Sequence, residues 1–298
     1  MSSQPLTVAF HIGVHKTATS HLQRSLKRAS EPLATRGVRY YGPDYFRLPG
    51  RTLQSLFGFR PGLPDGGAHR SPSEQLARMR KDGHRLVLSE ENFIGSLNQP
   101  HGRAMKHRYK AADARLEALA SAMGREIDVY VAIRRPTGFI NSAYCQMLLG
   151  GRVQPVAMFQ RRNPLSSVDW VDLITRLRAA RGVGALCVWC YEDYGVLFPR
   201  IISGLVGEDN APLVTPRPRL VNRGLSAPAV AQVLAQPDVV SDINTARLAR
   251  GELPVEDGHP PFDGFTPPEH AIGDAIYARQ ITAIGQMSGV TLLRPDAG

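Results

Sequence analysis

Polar and basic residues follow an apolar strand near the start of the chain, in the segment VAFHIGVHKTATSHLQRSL, residues 8–26. A strand that turns into a helix aims backbone N–H groups and the positive end of the helix at one point, which is where a phosphate binds. Lys16 supplies a point charge beside that point. The hydroxyl donors of the first helical turn are Thr17, Thr19 and Ser20. The segment therefore predicts a phosphate-binding turn that begins at Gly13.

The spacing in this turn differs from that of the nucleoside triphosphatases. A Walker A motif needs G-x-x-x-x-G-K-[ST], with the lysine beside the second glycine and a hydroxyl that holds magnesium. Here Lys16 falls three residues after Gly13, and Ala18 occupies the place of the second glycine. This spacing disfavours a kinase or an ATPase. The alternative without function is that the hydroxyls only cap a helix while Lys16 stays solvated.

Two arginines end a second apolar run, at residues 127–133, directly before a helix that begins at Pro136. Proline suits the first position of a helix, so Arg134 and Arg135 lie at the carboxyl end of a strand, where open α/β sheets bind ligands. Arg134 and Ser142, which is eight residues further along, could share a second phosphate. The alternative is that the arginines only pair with surface carboxylates.

Two acidic residues follow a third strand, in the segment RLVLSEENFIGS, residues 85–96. Glu90 and Glu91 come just past the carboxyl end of that strand, on the same edge of a parallel sheet as the other two segments. We therefore expect one of them to remove a proton from a substrate. The alternative is that both are solvated or that one pairs with Arg134 or Arg135.

Two histidines bracket the phosphate-binding turn and are further candidates for the base. The ordinary pKa of histidine, about 6.5, suits proton removal near neutral pH. His15 lies within the turn, whereas His11 lies inside the apolar strand, which favours a core histidine at that position.

Short β-type runs alternate with amphipathic stretches along the chain, which predicts βαβ units and a mostly parallel central sheet flanked by helices. The predicted strands are 6–12, 38–41, 85–88, 127–133 and 185–189. The predicted helices are 19–28, 73–81, 109–123, 136–148, 168–180 and 269–287. Stretches rich in proline and glycine predict loops at 60–72, 211–219 and 253–268. We expect a single α/β domain over residues 1–298, with an irregular helical C-terminal third from about residue 220.

Composition and charge limit the classes of partner that we expect the protein to bind. The chain is 43% hydrophobic and 21% charged, as expected of a globular protein, and its net charge of +10 favours an anionic partner. The start of the sequence lacks the pattern of a secretory signal, which predicts a cytoplasmic protein, with peripheral contact at the inner face of a membrane as a further expectation. A basic cluster could bind an acidic polysaccharide or a lipid head group, or be a solvated face: Arg103, Lys106, Arg108 and Lys110, with Arg152, Arg161 and Arg162. No zinc-finger spacing or aromatic RNA-binding motif accompanies this charge, which disfavours a nucleic-acid-binding protein.

The cysteines do not indicate metal or redox chemistry. Cys187 and Cys190 form a C-x-x-C pair, but they lie in the strand-like run ALCVWCY. Residues three apart on a strand point to opposite faces of the sheet, so we expect the two thiols to be separated.

Together, the first two segments resemble the sulfotransferases that use 3'-phosphoadenosine 5'-phosphosulfate (PAPS) as donor, whose architecture is similar to that of P-loop NTPases. GVHKTATSHLQ is similar to their loop for the 5'-phosphosulfate, in which Lys-[Ser/Thr]-Gly-Thr-[Thr/Ser] is usual, with Ala18 here in the glycine position. VYVAIRRPTGFINSAY resembles their segment for the 3'-phosphate. LVNRGLSAPAV resembles a late loop that approaches the donor.

The resemblance implies a site and a reaction. The donor would be bound by Lys16, Thr17, Ala18, Thr19 and Ser20, by Arg134 and Ser142, and by Arg223 of the late loop. A sulfuryl group would pass from PAPS to a hydroxyl or amine of a carbohydrate or glycolipid, leaving the product nucleotide PAP, and no metal would be needed. Glu91 is a better match than Glu90 to the base of bacterial relatives, and loops at 46–72 and 150–164 would form the acceptor pocket. A nucleotide kinase and a nucleotide-binding protein without catalysis stay open as alternatives.

Overall fold

A computed structural model describes residues 5–59, 70–97, 107–218, 224–235 and 243–296. Its centre is a sheet of six parallel strands in the order β2-β3-β1-β4-β5-β6. The strands are β1 Thr7–His11, β2 Val38–Tyr41, β3 Arg85–Ser89, β4 Ile127–Ile133, β5 Val183–Cys190 and β6 Val290–Leu293. The predicted α/β fold class and the five predicted strands are confirmed, and β6 is an addition.

The order of the strands sets the place of the site. The chain leaves the central strand β1 for β2 and β3 on one side, and then crosses to β4 on the other side. A ligand binds in such a sheet beyond the carboxyl ends of the strands, where the winding changes direction. Here that point lies between β1 and β4, the strands that lead to the two predicted phosphate-binding segments.

Helices surround the sheet. They are α1 Thr19–Arg28, α2 Ser30–Thr35, α3 Pro43–Phe46, α4 Leu53–Phe57, α5 Pro72–Arg80, α6 Ala112–Met123, α7 Pro136–Leu149, α8 Val156–Arg162, α9 Trp170–Ala179, α10 Tyr194–Val206, α11 Ala227–Leu234, α12 Ile243–Glu252 and α13 Pro267–Gly285. Each predicted helix is present, with bounds that differ by at most three residues. In the described residues, none of the helices combines the length and hydropathy that crossing a bilayer requires.

Two of the predicted loops contain helices. The proposed acceptor loops at 46–72 and 150–164 hold α4 and α8, because short apolar runs there pack on the core through Phe57 and Phe159. Residues 60–69 of the first loop lie outside the described residues. The stretch 253–268 is free of α-helix, as predicted, up to the first residues of α13.

Apolar side chains cover both faces of the sheet. Cys190 packs in the cluster on one face and Cys187 packs against the cluster on the other, so the predicted separation of the two thiols is confirmed. Arg108 corrects the predicted basic cluster, because it is buried rather than solvated. Its guanidinium lies 4.8 Å from the ring centre of Phe139 and donates to neutral oxygens, so it holds the core together instead of facing a partner.

Candidate functional site

The turn after β1 has the backbone of an anion-binding loop. Lys16 and Ala18 both adopt left-handed backbone angles, with φ of 68° and 60°, and α1 begins at the next residue, Thr19. Successive N–H groups in such a turn converge on one point, together with the positive end of the helix. A Cβ on Gly13 would lie 2.9 Å from atoms of Thr19 and Glu91, so glycine lets this turn approach the end of β3.

One cavity of about 490 Å³ opens at this turn. Arg134 and Ser142, which follow β4, line the same cavity as Lys16, so the structure brings the two predicted phosphate-binding segments together. Glu91, which follows β3, lines this cavity as well. The remaining residues of the lining are His15, Ala18, Thr19, Ser20, Arg47, Asn92, Ser96, Leu97, Gln146 and Tyr191.

Arg134 is fixed at the base of the cavity. Its guanidinium donates a 2.7 Å hydrogen bond to the carbonyl oxygen of Lys16 and lies 4.4 Å from the ring centre of Tyr191. The buried Trp170 donates from its indole nitrogen to the carbonyl oxygen of Arg134. Burial lowers the pKa of Arg134, because a charged group loses solvation there. An anion bound in the cavity would stabilise the charged guanidinium of Arg134.

Lys16 reaches across the cavity to α7. Its ammonium nitrogen donates a 2.9 Å hydrogen bond to the side-chain oxygen of Gln146. Burial lowers the pKa of Lys16, and the nearby cations Arg134 and Arg250 add to the effect. The hydrogen-bond partner is a neutral amide and not a carboxylate, which suits a group that binds an anionic ligand.

Glu91 and Glu90 share Arg47, a partner that the sequence analysis did not name. Arg47 donates to Glu91 at 2.8 Å and makes two hydrogen bonds to Glu90. Glu91 also accepts a 2.8 Å hydrogen bond from Gln23. Burial favours the neutral carboxyl of Glu91, but Arg47 and Gln23 outweigh it and hold its pKa below the ordinary value. Glu90 is buried and is not part of the cavity lining.

The two candidate histidines occupy different environments. His15 lines the cavity, where its ring nitrogens lie 3.0 Å from the Tyr109 hydroxyl and 3.1 Å from the side-chain oxygen of Asn92. Burial lowers the pKa of His15. His11 is a core histidine, as the sequence favoured: it is 1% exposed, it bonds to Ser89, and burial lowers its pKa to about 4.

The hydroxyls of the turn do not all face the cavity. The Thr17 hydroxyl donates a 2.5 Å hydrogen bond to the carbonyl oxygen of Val14, so it closes the turn rather than donating to a ligand. Thr19 and Ser20 line the cavity. Arg223 and the neighbouring part of the late loop lie outside the described residues.

The sequence analysis did not name several of the lining residues, among them Tyr191, Gln146 and Arg47. Tyr191 directly follows β5 and Gln146 lies one helical turn after Ser142, so the reasoning that found Arg134 and Ser142 could have found them. Arg47 follows the short helix α3 without any motif, and only the folded chain reveals it. The described residues contain no group of three or more His, Cys, Asp or Glu side chains placed to hold a metal ion.

No protein-family profile matches the sequence, and no curated protein has significant similarity to it. Among solved structures, the chain is similar to the crystal structure of a sulfotransferase from Alicyclobacillus acidocaldarius. The TM-score is 0.45, the sequence identity is 11%, and the alignment covers 93% of each chain. This similarity is too low to assign an activity, so the fold class rests on the six parallel strands themselves.

Proposed function

We propose that the protein is a sulfotransferase that moves a sulfuryl group from PAPS to a hydroxyl or amine of a carbohydrate or glycolipid. One observation carries the proposal: Lys16, Arg134 and Ser142 line a single cavity at the carboxyl ends of adjacent strands. PAPS has a phosphosulfate at one end of its ribose and a second phosphate on the ring. The cavity offers a cationic group for each of the two phosphates, Lys16 after β1 and Arg134 after β4.

The phosphosulfate would bind at the turn between β1 and α1, where Lys16, Thr19 and the backbone N–H groups converge. The second phosphate would bind to Arg134 and Ser142. In the transfer, the acceptor oxygen forms a bond to sulfur while the bond from sulfur to the bridging phosphate oxygen breaks. Lys16 and the helix end stabilise the negative charge that grows on the departing phosphate of PAP.

Glu91 is the best candidate for the group that takes the acceptor proton. A carboxylate has about four lone-pair sites, and the hydrogen bonds from Gln23 and Arg47 leave Glu91 with acceptor capacity. A neutral His15 that donates to Asn92 has one lone pair, which faces the Tyr109 hydroxyl. Glu90 is bound twice to Arg47 and does not line the cavity.

A thermal-shift comparison tests the proposed donor. We expect PAP to stabilise the protein selectively, by about 2.7 kcal/mol at a ligand concentration 100 times its Kd. ATP with magnesium and NAD, measured side by side, should have little effect. Stabilisation by ATP with magnesium instead of PAP would favour a nucleotide kinase.

Transfer of label from ³⁵S-PAPS to a panel of oligosaccharides and glycolipids tests catalysis. Labelled product that depends on both the protein and the acceptor would support the reaction. Binding of PAP without transfer to any acceptor would leave a nucleotide-binding protein without this activity.

A further inference from the structure

A second, smaller cavity of about 240 Å³ adjoins the candidate site. It shares Lys16, Ser142 and Gln146 with the larger cavity. Arg247 and Arg250, both on α12, line it as well. The other lining residues are Cys145, Leu149 and Gly224. The shared residues make this space a continuation of the site and not a separate hollow.

The direction of α7 shows which part of the site this cavity extends. Arg134 precedes the first turn of α7, and Ser142 lies in its middle. Gln146 and Leu149 follow one and two turns further toward the C-terminal end of the helix. The smaller cavity therefore lies beyond Ser142, on the side away from Arg134. It does not extend the Arg134 side of the site, where the second phosphate of the donor is proposed to bind.

Among the described residues, no acidic side chain pairs with the two arginines of this cavity. Arg247 and Arg250 lie three residues apart on one face of α12, and neither makes a hydrogen bond or an ion pair within the described parts of the chain. Arg250 is close enough to Lys16 to contribute to the lowering of its pKa. None of the described residues that line the cavity is acidic. Arg176, by contrast, pairs with Asp172.

We infer that Arg247 and Arg250 bind an acidic group of the acceptor, so that the acceptor is an anionic saccharide rather than a neutral one. The inference rests on the proposed function and deepens it. Two guanidinium groups match the paired oxygens of a carboxylate, as in a uronic acid. Lys16 lines both cavities, so an acidic sugar in the smaller cavity would lie next to the phosphosulfate end of the donor.

Calorimetry with a matched pair of probes tests this inference. One probe is a hexasaccharide of alternating glucuronate and N-acetylglucosamine, and the other is the same hexasaccharide with its carboxyl groups reduced to hydroxymethyl groups. With PAP bound, we expect the protein to bind the acidic probe about tenfold tighter or more, because hydrogen bonds between charged groups are the strong ones. Equal affinity for the two probes would overturn the inference.

A double variant assigns that preference to the two arginines. Arg247→Gln with Arg250→Gln should abolish the preference and leave the affinity for PAP within about twofold. The control Arg161→Gln with Arg279→Gln removes the same charge from exposed positions on α8 and α13, and it should keep the preference. A double variant that keeps the preference would contradict the assignment.

Two further measurements distinguish an error in the role of the two arginines from an error in the proposed donor. If the double variant loses affinity for PAP but not for 5'-AMP, the arginines bind the second phosphate of the donor, and the inference fails. The probes are also compared without PAP. Absence of PAP binding to the unmodified protein, with the preference for the acidic probe intact, would contradict the proposed donor alone.

Discussion

The phosphate-binding turn holds two L-residues in a left-handed backbone conformation, Lys16 and Ala18. This conformation costs an L-residue about 1–2 kcal/mol, and it is where glycine is usual. Residue 18 adopts this conformation although it is alanine and not glycine. The resemblance to the sulfotransferase loop showed that Ala18 occupies a position where glycine is usual. Only the structure shows its backbone angle.

Replacing Ala18 by glycine should stabilise the protein. The gain from the relieved backbone conformation, about 1–2 kcal/mol, exceeds the cost of a more flexible unfolded chain, about 0.4–1 kcal/mol. We expect Ala18→Gly to raise the free energy of unfolding by about 0.5–1 kcal/mol in denaturant titrations. Ala278→Gly, in the interior of α13 at an exposed position, is the control and should lower it by about 1 kcal/mol. A loss of stability in Ala18→Gly would contradict the backbone argument.

Lys16→Ala tests whether the ammonium group of Lys16 binds the donor. Loss of a charge-assisted hydrogen bond of about 1.5–3 kcal/mol should weaken PAP binding about tenfold to a hundredfold, as measured by calorimetry. Lys110→Ala removes the same charge at an exposed position and should leave the affinity unchanged. Equal affinities in all three proteins would remove Lys16 from the donor site.

Glu91→Gln separates proton removal from donor binding. The amide keeps the size of the side chain but cannot take a proton, so the rate of transfer should fall about a hundredfold or more while PAP affinity is retained. Glu90→Gln is the matched control, because Glu90 shares Arg47 but does not line the cavity, and its effect on the rate should be smaller. Weakened PAP affinity in Glu91→Gln would remove it as the base.

The exposed carboxylate of Glu192 links helix α13 to the end of β5 through hydrogen bonds. The Tyr277 hydroxyl donates a 2.9 Å hydrogen bond to Glu192, and the other oxygen of Glu192 accepts from the backbone N–H of Arg135. Glu192 therefore connects the end of β5, the start of α7 and the C-terminal helix. The hydrogen bond to the Arg135 N–H fixes the backbone directly after Arg134.

Tyr277→Phe should lower the free energy of unfolding by about 1 kcal/mol, because one oxygen of Glu192 loses its partner. Denaturant titration with the same slope for both proteins would measure the change. Tyr45→Phe is the control, since the Tyr45 hydroxyl makes no hydrogen bond within the described chain, and it should change stability by less than about 0.5 kcal/mol. Equal losses in the two variants would show that Glu192 does not need Tyr277.

Elements with strong periodicity could be predicted from the sequence, and weakly patterned ones could not. The apolar stripes of α1 and α6 and the buried run of β4 gave clear signals, because burial itself imposes the pattern. Helix α10 was missed because Pro199 lies inside it, and proline normally ends a helix. Strand β6 was missed because four half-exposed residues carry too little pattern, and only pairing with β5 defines it.

The candidate site could be predicted as far as it follows from the ends of strands. Lys16, Arg134 and Glu91 each come after a strand of one parallel sheet, and a parallel sheet brings such positions to one edge. Arg47 and Arg250 reach the site from helices far apart in the chain. Their positions depend on tertiary packing, for which the local sequence carries no signal.

Stability of the whole molecule should fall in mild acid because of His11. Burial lowers the pKa of this imidazole from 6.5 to about 4, so the unfolded chain takes up its proton first as the pH falls. The contribution of His11 to stability is present above pH 6.5 and is lost between pH 6.5 and 4, by about 3 kcal/mol.

Denaturant titrations between pH 7 and pH 4 would measure this loss. His11→Asn lacks a group that titrates in this range, and the amide can still bond to Ser89, so the decline of its stability should be shallower. A variant that loses as much stability as the unmodified protein between these pH values would exclude His11 as the cause.

The central position of β1 has a consequence during synthesis of the protein. Its first residue, Thr7, pairs with Arg85, and Ala9 pairs with Asp128, so both partners leave the ribosome long after β1 does. Contacts between residues so distant in the chain form slowly, and an unpaired apolar strand invites association with other chains. We expect the nascent protein to need chaperone protection until β4 has emerged.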